Sequence, residues 1–424
     1  MNFVEELRWR GLLHDITPGA EELLLKESVS GYVGFDPTAD SLHIGNLVPI
    51  MLLVHFQRAG HKPMVLVGGA TGMVGDPSGK TAERQLLDLD AINHNLNSQR
   101  KQLEQFLDFS DIPNGAVVVN NYDWFKDYSF LDFIREVGKF ITVNYMMAKD
   151  SVKKRLETGM SFTEFSYQLV QGYDFYHLWK NENCKIQMGG SDQWGNIVTG
   201  TELIRKMGSG EAFALTAPLV TKADGSKFGK SEGGNVWLDR ARTSPYKFYQ
   251  YWINSSDADA AKYIRIFTLK TKEEIEAIEA EHALNPGARK LQKEVANDVT
   301  LRIHGEEGLQ NAIEASEILF GRSTKESLMR LSEDDFTSIF DGIPTKEISK
   351  QELEGLTIED ALVAKGGFLP SLSEARRALK ENSIQVNKEK FDGTRVLDNT
   401  DLILGKYILL QRGKKTYYVL SVQD

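Results

Sequence analysis

Three residues at the entrance of a predicted helix have the types and the spacing to bind a phosphate group. His43, Gly45 and Asn46 follow the turn-forming run 36–41 and precede an apolar-faced helix that starts near Leu47. The first N–H groups of a helix lack partners and the helix dipole favours anions. Gly45 lets a flat ligand approach the backbone, and His43 and Asn46, three residues apart, point the same way. A strand-to-helix turn with a capping histidine is the alternative interpretation of this segment alone.

The elements around this turn alternate between strands and helices. Residues 32–35, 63–67, 116–120 and 185–188 are β-rich runs, and residues 86–107, 129–149 and 162–179 have helical patterns. This order predicts an α/β fold with a doubly wound, Rossmann-like parallel sheet, in which ligands bind beyond the carboxyl ends of the strands. Asp36, Asp76 and Asn121 each follow a predicted strand, so we expect them to converge there.

The predicted helix 162–179 carries a polar stripe. Tyr167, Gln171 and Asp174 are spaced by four and three residues, which places them on one face. Most such stripes are exposed to solvent. Here aromatic residues lie on both sides, and this favours a pocket lined by a phenol, an amide and a carboxylate.

Three loops are rich in glycine. Loop 68–84 fits neither the NTPase phosphate loop nor the dinucleotide-binding pattern, and its Asp76 is either a ligand contact or a solvated turn residue. The run 189–196, GGSDQWGN, repeats the strand, turn and helix entrance of the first site, with Asp192 placed to accept from ribose hydroxyls. The run 223–234 is a flexible loop that carries Lys227 and Lys230. An ordinary lysine-bearing surface loop is the alternative for that run.

Composition limits the class of protein. The chain has 424 residues, so we expect two or three domains, and its 41% hydrophobic and 26% charged residues are typical of globular proteins. The one cysteine, Cys184, excludes an internal disulfide, and no Cys/His spacing predicts a metal site. The N-terminus lacks the apolar core of a signal peptide, and we expect a cytoplasmic protein. A net charge of −10 argues against a general nucleic-acid coat but allows a local basic surface.

The second half of the chain predicts further domains. After a catalytic domain over 1–240, we expect a helical domain over 241–341, a linker over 342–356 and a small α+β domain over 357–424. Basic residues concentrate in the last domain, beside Tyr417 and Tyr418, and predict an RNA-binding face. They are Arg376, Arg377, Lys380, Lys388, Lys390, Arg412, Lys414 and Lys415. A solvated basic surface is the alternative.

Taken together, these segments resemble the class I aminoacyl-tRNA synthetases, and most closely the bacterial tyrosyl-tRNA synthetase family, over essentially the whole chain. The run 43–46, HIGN, is similar to the HIGH motif, with asparagine in place of the second histidine. The run 227–231, KFGKS, is similar to the KMSKS loop. The blocks GFDPTADSLHIG, FTEFSYQLVQGYDF and GGSDQWGN match the tyrosine-specific type. The C-terminal part resembles a small RNA-binding domain that also occurs in a ribosomal small-subunit protein.

The resemblance implies a tyrosine–tRNA ligase, which activates L-tyrosine with ATP and transfers the tyrosyl group to the terminal adenosine of tRNA(Tyr). Mg²⁺ is expected with ATP, without a metal cage built by the protein, and a homodimer is expected. Tyrosine would be bound by Tyr32, Asp76, Tyr167, Gln171, Asp174 and Gln193. Catalysis would use Thr38, His43, Asn46, Lys227 and Lys230. ATP would further contact Asp36, Gly45, Gly190, Asp192, Lys230 and Ser231, with Lys80 and Arg84 as additional candidates.

Two other functions remain open on the sequence. A tryptophan-specific relative shares the fold and both ATP motifs. The second alternative is a catalytically silent RNA-binding or splicing protein, which would keep the synthetase fold but lack amino-acid activation. The presence of His43, Lys230, Asp76 and Asp174 argues against it.

Overall fold

The structure is a computed structural model that describes residues 1–78, 87–156, 159–231, 234–320, 324–340, 343–391, 393, 395–413 and 416–423. The chain folds into two compact units. The N-terminal unit comprises Met1–Arg242 and Trp252–Val299, and the C-terminal unit comprises Thr243–Tyr251 and Thr300–Asp424. No helix in the described ranges is long and apolar enough to cross a membrane.

A six-stranded sheet forms the centre of the N-terminal unit. Its strands are β1 (Asp15–Ile16), β2 (Ser30–Phe35), β3 (Lys62–Val67), β4 (Val117–Asn120), β5 (Cys184–Gly190) and β6 (Phe213–Ala217). They lie in the order β1-β6-β5-β2-β3-β4, and only the edge strand β1 is antiparallel to its neighbour. In chain order, β3 and β4 are added on one side of β2, and β5 is then added on its other side. The crevice between the carboxyl ends of β2 and β5 is therefore the switch point where doubly wound sheets bind ligands.

Helices cover this sheet. They are α1 (Phe3–Arg10), α2 (Ala20–Lys26), α3 (Leu47–Arg58), α4 (Thr71–Val74), α5 (Leu89–Leu103), α6 (Tyr122–Phe125), α7 (Phe130–Glu136), α8 (Val143–Met147), α9 (Asp150–Leu156), α10 (Phe162–Glu182) and α11 (Trp194–Leu203). Nine residues of α3 are buried, as expected for a helix that is apolar on all sides. Helix α10 starts at a capping box in which Ser161 and Glu164 each bind the other's backbone N–H.

The chain then continues through the short pair β7 (Lys230–Ser231) and β8 (Gly234–Asn235) into a mostly helical stretch. Its helices are α12 (Pro245–Ile253), α13 (Asp257–Phe267), α14 (Lys272–Leu284), α15 (Lys290–Phe320), α16 (Lys325–Met329) and α17 (Glu333–Ile339). Helix α15 is interrupted at Gly305, whose φ of 73° is outside the helical range. Helix α12 and the two ends of α15 are divided between the two units.

The C-terminal unit contains a five-stranded sheet in the order β12-β11-β14-β15-β9 and a separate pair, β10 with β13. The strands are β9 (Thr345–Ser349), β10 (Leu356–Thr357), β11 (Ile384–Val386), β12 (Glu389–Lys390), β13 (Val396–Leu397), β14 (Tyr407–Arg412) and β15 (Thr416–Gln423). The helices are α18 (Lys350–Leu353), α19 (Ile358–Leu362) and α20 (Leu372–Lys380). The predicted fold class, an α/β catalytic part followed by helices and a small α+β part, is confirmed.

The structure corrects the predicted linker over 342–356. Strand β9 pairs in parallel with β15, and Ile348, Leu353 and Leu356 are buried in the core of the C-terminal unit. The sequence hides this strand because Ile348 is the one buried residue among the five of β9, as is typical of an edge strand. The segment is thus part of the folded unit.

Candidate active site

The turn that carries His43 and Asn46 is held by reciprocal hydrogen bonds. The Gly45 N–H donates to Nδ1 of His43 over 3.0 Å, and the His43 N–H donates to Oδ1 of Asn46 over 3.0 Å. Because Nδ1 accepts, the proton of the neutral imidazole lies on Nε2. Asn46 uses its side-chain oxygen in the cap, which leaves its NH2 group as a donor. Both side chains therefore present N–H groups at the entrance of α3, where an anion is favoured.

The lysine loop 227–231 is tied to this turn through the backbone. The Val236 N–H donates to the Gly229 carbonyl over 3.1 Å, and the Ile44 N–H donates to the Val236 carbonyl over 2.9 Å. Gly229 has a φ of +88°, and a Cβ there would lie 3.3 Å from the Gly45 nitrogen. Only glycine combines this backbone conformation with this close approach. The segments 43–46 and 227–231, which were predicted to contact ATP, are thus in contact with each other, although they are about 180 residues apart in the sequence.

Phe228 anchors the middle of the lysine loop. Its buried ring stacks on Phe267 with centroids 5.2 Å apart and lies 5.3 Å from the ring of Tyr263. Lys227 and Lys230, on either side, are exposed. The loop is fixed at its centre, while its two ammonium groups remain available to a phosphate ligand.

Asp174, on α10, belongs to a cluster of polar side chains, here called the pocket, that also contains Tyr32, Asp36, Asp76, Tyr167, Gln171 and Gln193. Its side chain is 1% exposed, Oδ1 accepts from Nε1 of Trp124 over 2.9 Å, and Oδ2 accepts from Nδ2 of Asn121 over 3.0 Å. Burial raises the pKa of Asp174 to about 8, against the two hydrogen bonds, which favour the carboxylate. The hydrogen bonds also fix the orientation of the carboxyl group.

Tyr32, on β2, faces the same pocket. Within the part of the chain that the structure describes, its buried hydroxyl has no hydrogen-bond partner. Burial raises the pKa of Tyr32 well above its usual value, and the neighbouring Asp174 adds to the increase. The phenol is therefore a protonated donor at neutral pH. A buried hydroxyl without a partner costs free energy unless a ligand completes it.

Carboxylates converge around Tyr167, in the next part of the pocket. The Tyr167 hydroxyl donates to Oδ2 of Asp36 over 2.8 Å, and Oδ1 of Asp36 accepts from the Thr71 hydroxyl over 2.7 Å. Burial raises the pKa of Tyr167 strongly, and the charges of Asp36, Asp76 and Asp174 raise it further. The expected convergence beyond the strand ends is thus present, and the site has the negative charge that an ammonium group requires.

A chain of amides links Asp76 to α10. Nε2 of Gln193 donates to Oδ2 of Asp76 over 2.7 Å, and Nδ2 of Asn196 approaches Oε1 of Gln171 at 3.1 Å and Oε1 of Gln193 at 3.3 Å. These contacts join residues from the glycine-rich loop, from α10 and from the start of α11. Five of the residues predicted for tyrosine, on three separate segments, are brought together with Tyr32 in one pocket.

Comparisons with known proteins identify the family. Residues 25–321 match the family model described as tRNA synthetases class I (W and Y), and residues 335–420 match the tyrosine–tRNA ligase SYY-like C-terminal domain. A tyrosine–tRNA ligase of Flavobacterium johnsoniae is 61% identical over 428 residues, with 99% of each chain covered. That of Bacteroides thetaiotaomicron is 59% identical, again with 99% of each chain covered. The chain belongs to the tyrosine–tRNA ligase family.

A solved structure agrees with this family. The C-terminally truncated mitochondrial tyrosyl-tRNA synthetase of Aspergillus nidulans has a TM-score of 0.67 and 30% identity, covering 73% of this chain and 92% of that chain. The predicted family and the predicted enzyme class, an aminoacyl-tRNA synthetase of the tyrosine type, are confirmed. The tyrosine–tRNA ligase relatives also decide against the tryptophan-specific alternative.

The structure places some predicted residues differently within this tyrosine–tRNA ligase pocket. Asp36 was predicted to contact ATP. Its two carboxylate oxygens accept hydrogen bonds from the Tyr167 and Thr71 hydroxyls, so it lies among the residues predicted to bind tyrosine. Thr38 is exposed, and its N–H donates to the Asp36 carbonyl over 2.8 Å. A Cβ at Gly190 would lie 2.6 Å from Oδ1 of Asp192, so a side chain there would displace that carboxylate. Burial raises the pKa of Asp192, and the charge of Lys227 opposes this.

Some predictions lie outside the described residues. They concern Lys80 and Arg84 on the glycine-rich loop, the side chain of Ser231, and Lys414 and Lys415 near the C-terminus. In the described ranges, no group of three or more His, Cys, Asp and Glu side chains could hold a metal ion.

The basic residues of the C-terminal unit divide into two groups. Arg376, Arg377 and Lys380 are exposed on α20, although Arg376 reaches Glu359 at 3.1 Å. Lys388 instead points at the Tyr417 hydroxyl over 2.7 Å, and burial lowers its pKa to about 8. The first group remains available to an anionic partner, whereas Lys388 is committed to a contact within the unit.

Sequence reasoning missed Trp124, Thr71 and Asn196. Trp124 follows Asn121 by three residues, so the two lie on the same face of the short helix α6, and this spacing was the available signal. Asn196 follows Gln193 by the same spacing. Thr71 gave no signal, because a threonine in a glycine-rich loop is common.

The raised pKa of Asp174 predicts a specific dependence of stability on pH. Between about pH 4 and 8 the folded state binds a proton on Asp174 that the unfolded state lacks, so this contribution to stability falls as the pH rises through that range. Asp174→Asn removes it. Thermal denaturation of both proteins from pH 5 to 8 should show the Tm of the unmodified protein decreasing relative to that of the variant. A Tm difference that does not change with pH would contradict the assignment.

Proposed function

We propose that the pocket binds L-tyrosine with its phenol between Tyr32 and Asp174. The observation that carries this proposal is the buried Tyr32 hydroxyl, which has no partner among the described residues and lies beside a carboxyl group oriented by Asn121 and Trp124. A substrate hydroxyl between the two would complete both groups. Phenylalanine would leave them unpaired in a buried site, which is the basis of discrimination in tyrosine-specific synthetases.

The α-ammonium group of the substrate would lie where Asp36, Asp76 and Tyr167 converge. Burial raises the pKa of Tyr167, and the negative charges of Asp36 and Asp76 raise it further, so both carboxylates lie near its hydroxyl. Gln171 and Gln193, joined through Asn196, would orient the same end of tyrosine. The amino acid would thus lie with its carboxylate towards the mouth of the crevice and the ATP motifs.

ATP would lie with its phosphates at the entrance of α3. A tyrosine carboxylate, with a pKa of about 3.5, is ionised at neutral pH and can attack the α-phosphorus of ATP without a general base. Tyrosyl-adenylate forms as pyrophosphate leaves. The chain contributes positioning and groups that stabilise the growing charge: the N–H donors of His43 and Asn46 on the turn, and the ammonium groups of Lys227 and Lys230 on the loop. Asp192 would hold the ribose, and Mg²⁺ would arrive bound to ATP.

The second step would transfer the tyrosyl group to the terminal adenosine of tRNA(Tyr). We assign catalysis to the N-terminal unit, and contacts with the body of the tRNA to the C-terminal unit through Arg376, Arg377, Lys380 and Arg412. The exposed cations of α20, and the half-buried Arg412 on the adjoining strand β14, suit a phosphate backbone. Such a ligase would work in the cytoplasm.

Amino-acid-dependent pyrophosphate exchange tests this function. The purified full-length chain is incubated with ATP, labelled pyrophosphate and each of the twenty amino acids in turn. Exchange should depend on tyrosine alone. Exchange with tryptophan alone would overturn the assignment of Tyr32 and Asp174, and no exchange with any amino acid would support the catalytically silent RNA-binding alternative.

A second copy of the chain is the proposed partner for an exposed apolar surface of the N-terminal unit. This surface, the α7–α10 surface, consists of Phe130, Leu131 and Ile134 on α7, Val143 and Met147 on α8, and Phe162 at the start of α10. Phe130 and Phe162 contact each other edge to face at 6.5 Å, so the helices share one patch. Large exposed apolar patches mark interaction sites, and the expected homodimer supplies the occupant.

A charge placed on this surface should weaken the dimer. Leu131 is 77% exposed, so Leu131→Glu leaves the fold of one subunit intact but puts a carboxylate into an apolar interface. The matched control is Leu284→Glu, because Leu284 is 89% exposed at the end of α14. Sedimentation velocity should show an increase of about 100-fold in the dimer dissociation constant for Leu131→Glu alone. Equal behaviour of the two variants would exclude this surface.

A further inference from the structure

A groove of about 610 Å³ lies on the C-terminal unit. Its lining comes from three parts of the chain: residues 368–370, Glu381 with Ser383, and Arg412 with Gly413 and Thr416. Its volume is within the range of small-ligand pockets. Its lining combines an aromatic side chain, a guanidinium and a carboxylate.

The lining segment 368–370 is held in place by contacts within the C-terminal unit. The ring of Phe368 stacks on Tyr418 with centroids 5.1 Å apart, and the Tyr418 hydroxyl donates to the Gly366 carbonyl. The Leu369 N–H donates to the Leu362 carbonyl over 2.7 Å. Phe368 is therefore held from behind, and it can offer its surface to a ligand at a small entropic cost.

The other two parts of the lining are also joined to each other by hydrogen bonds. The Gly413 N–H donates to the Ser383 carbonyl over 2.8 Å, and the Ser383 hydroxyl donates to the Ala378 carbonyl over 2.9 Å. Nη1 of Arg412 donates to Oε1 of Glu374 over 2.6 Å. One ion pair uses only part of the guanidinium, and its remaining N–H groups can bind another acceptor.

The charge beside the groove selects the kind of ligand. Arg377 and Lys380 are exposed on α20, the helix that leads directly into Glu381 and Ser383. Arg377 lies 3.9 Å from Glu381, too far for a strong pair. A ligand with a negative charge would match these cations, and a ligand with a flat apolar face would match Phe368. A nucleotide has both features.

We propose that the groove binds one unpaired nucleotide of tRNA, with the base against Phe368 and the phosphate on Arg412. Proteins recognise single-stranded nucleotides by this combination of an aromatic surface and a cation. Glu381 accepts hydrogen bonds from N–H groups at the edge of the base. A nucleotide within a duplex cannot enter, because its faces are covered by neighbouring bases. The inference rests on the proposed tRNA charging function and names a recognition site for that substrate.

The test uses the full-length chain and two variants of the groove. Phe368→Leu keeps an apolar side chain but removes the aromatic face, and Arg412→Gln removes the cation. Phe391→Leu is the control for the first, since Phe391 is buried in the same core but does not line the groove. Lys406→Gln is the control for the second, since Lys406 pairs with Glu333 in the same unit.

Binding of a tRNA(Tyr) transcript is measured at several salt concentrations, and pyrophosphate exchange is measured without RNA. Phe368→Leu should raise the Kd for the transcript by about 5- to 100-fold, and Arg412→Gln should also lower the salt dependence by about one phosphate contact. Both controls should bind the transcript as the unmodified protein does. A fully paired RNA duplex should bind the unmodified protein and Phe368→Leu equally.

Three results would overturn the proposal that the groove binds a nucleotide. The first is a transcript Kd that is unchanged in both groove variants. The other two are a loss of transcript binding in Phe391→Leu as large as that in Phe368→Leu, and a loss of duplex binding in Phe368→Leu as large as its loss of transcript binding. Phe368→Leu and the two controls should retain tyrosine-dependent exchange. Absence of exchange in the unmodified protein would instead contradict the proposed function, so the two failures are distinguishable.

Discussion

Asp174→Ala should reduce kcat/KM for tyrosine activation by about 100-fold or more. The substitution removes a buried hydrogen-bond partner of the substrate phenol, takes one hydrogen bond from the Asn121 amide, which keeps its bond to Thr71, and removes the acceptor of the Trp124 indole N–H. A hydrogen bond contributes about 0.5–1.5 kcal/mol, and a buried donor left unsatisfied costs about 1–3 kcal/mol more, which together account for a loss of this size. Discrimination against phenylalanine should fall as well, because the site no longer penalises the missing hydroxyl.

Tyrosine- and phenylalanine-dependent pyrophosphate exchange measures both effects. The control is Asp150→Ala, since the side chain of Asp150 is 91% exposed on α9 and lies outside the pocket. Circular dichroism and thermal denaturation would establish that Asp174→Ala is folded. Near-normal exchange in folded Asp174→Ala would remove Asp174 from the binding of the phenol.

Lys230→Ala should reduce kcat for adenylate formation by about 100- to 1,000-fold while KM for tyrosine stays unchanged. Lys230 is exposed next to Gly229, whose backbone is tied through Val236 to Ile44 in the turn proposed to bind the phosphates. Its ammonium group would stabilise charge that develops on the departing pyrophosphate, and the loss of one such group costs about this factor. In the proposed arrangement tyrosine binds between Tyr32 and Asp174, so its affinity is expected to be independent of this lysine.

Pre-steady-state formation of tyrosyl-adenylate separates the two constants. Lys180→Ala provides the control, because Lys180 is an exposed lysine at the far end of α10. A higher KM for tyrosine with normal kcat in Lys230→Ala would contradict a role at the phosphates. It would place Lys230 in the amino-acid pocket instead.

Much of the site could be predicted because local periodicity determines it. The spacing of Tyr167, Gln171 and Asp174 places them on one helix face, and α10 presents all three to the pocket. Carboxyl ends of parallel strands meet at one edge of a sheet, so the convergence of Asp36, Asp76 and Asn121 followed from the order of elements. Each of these inferences needs only the pattern within one or two segments.

The remaining features depend on contacts between distant segments. Trp124 orients Asp174 across 50 residues, and Phe228 packs on Phe267 about 40 residues away. No local pattern specifies such pairs. The same reason explains the error at residues 342–356, where Ile348 becomes part of a strand only because β15, more than 60 residues later, lies beside it.

A crystal structure of the full-length chain with a non-hydrolysable tyrosyl-adenylate analogue tests the central claim most directly. The phenol oxygen should lie within hydrogen-bond distance of Tyr32 Oη and of the Asp174 carboxyl group, and the phosphate should lie at the entrance of α3 beside His43. An analogue bound with its phenol away from Tyr32 and Asp174, or with its phosphate outside the His43 turn, would contradict the account.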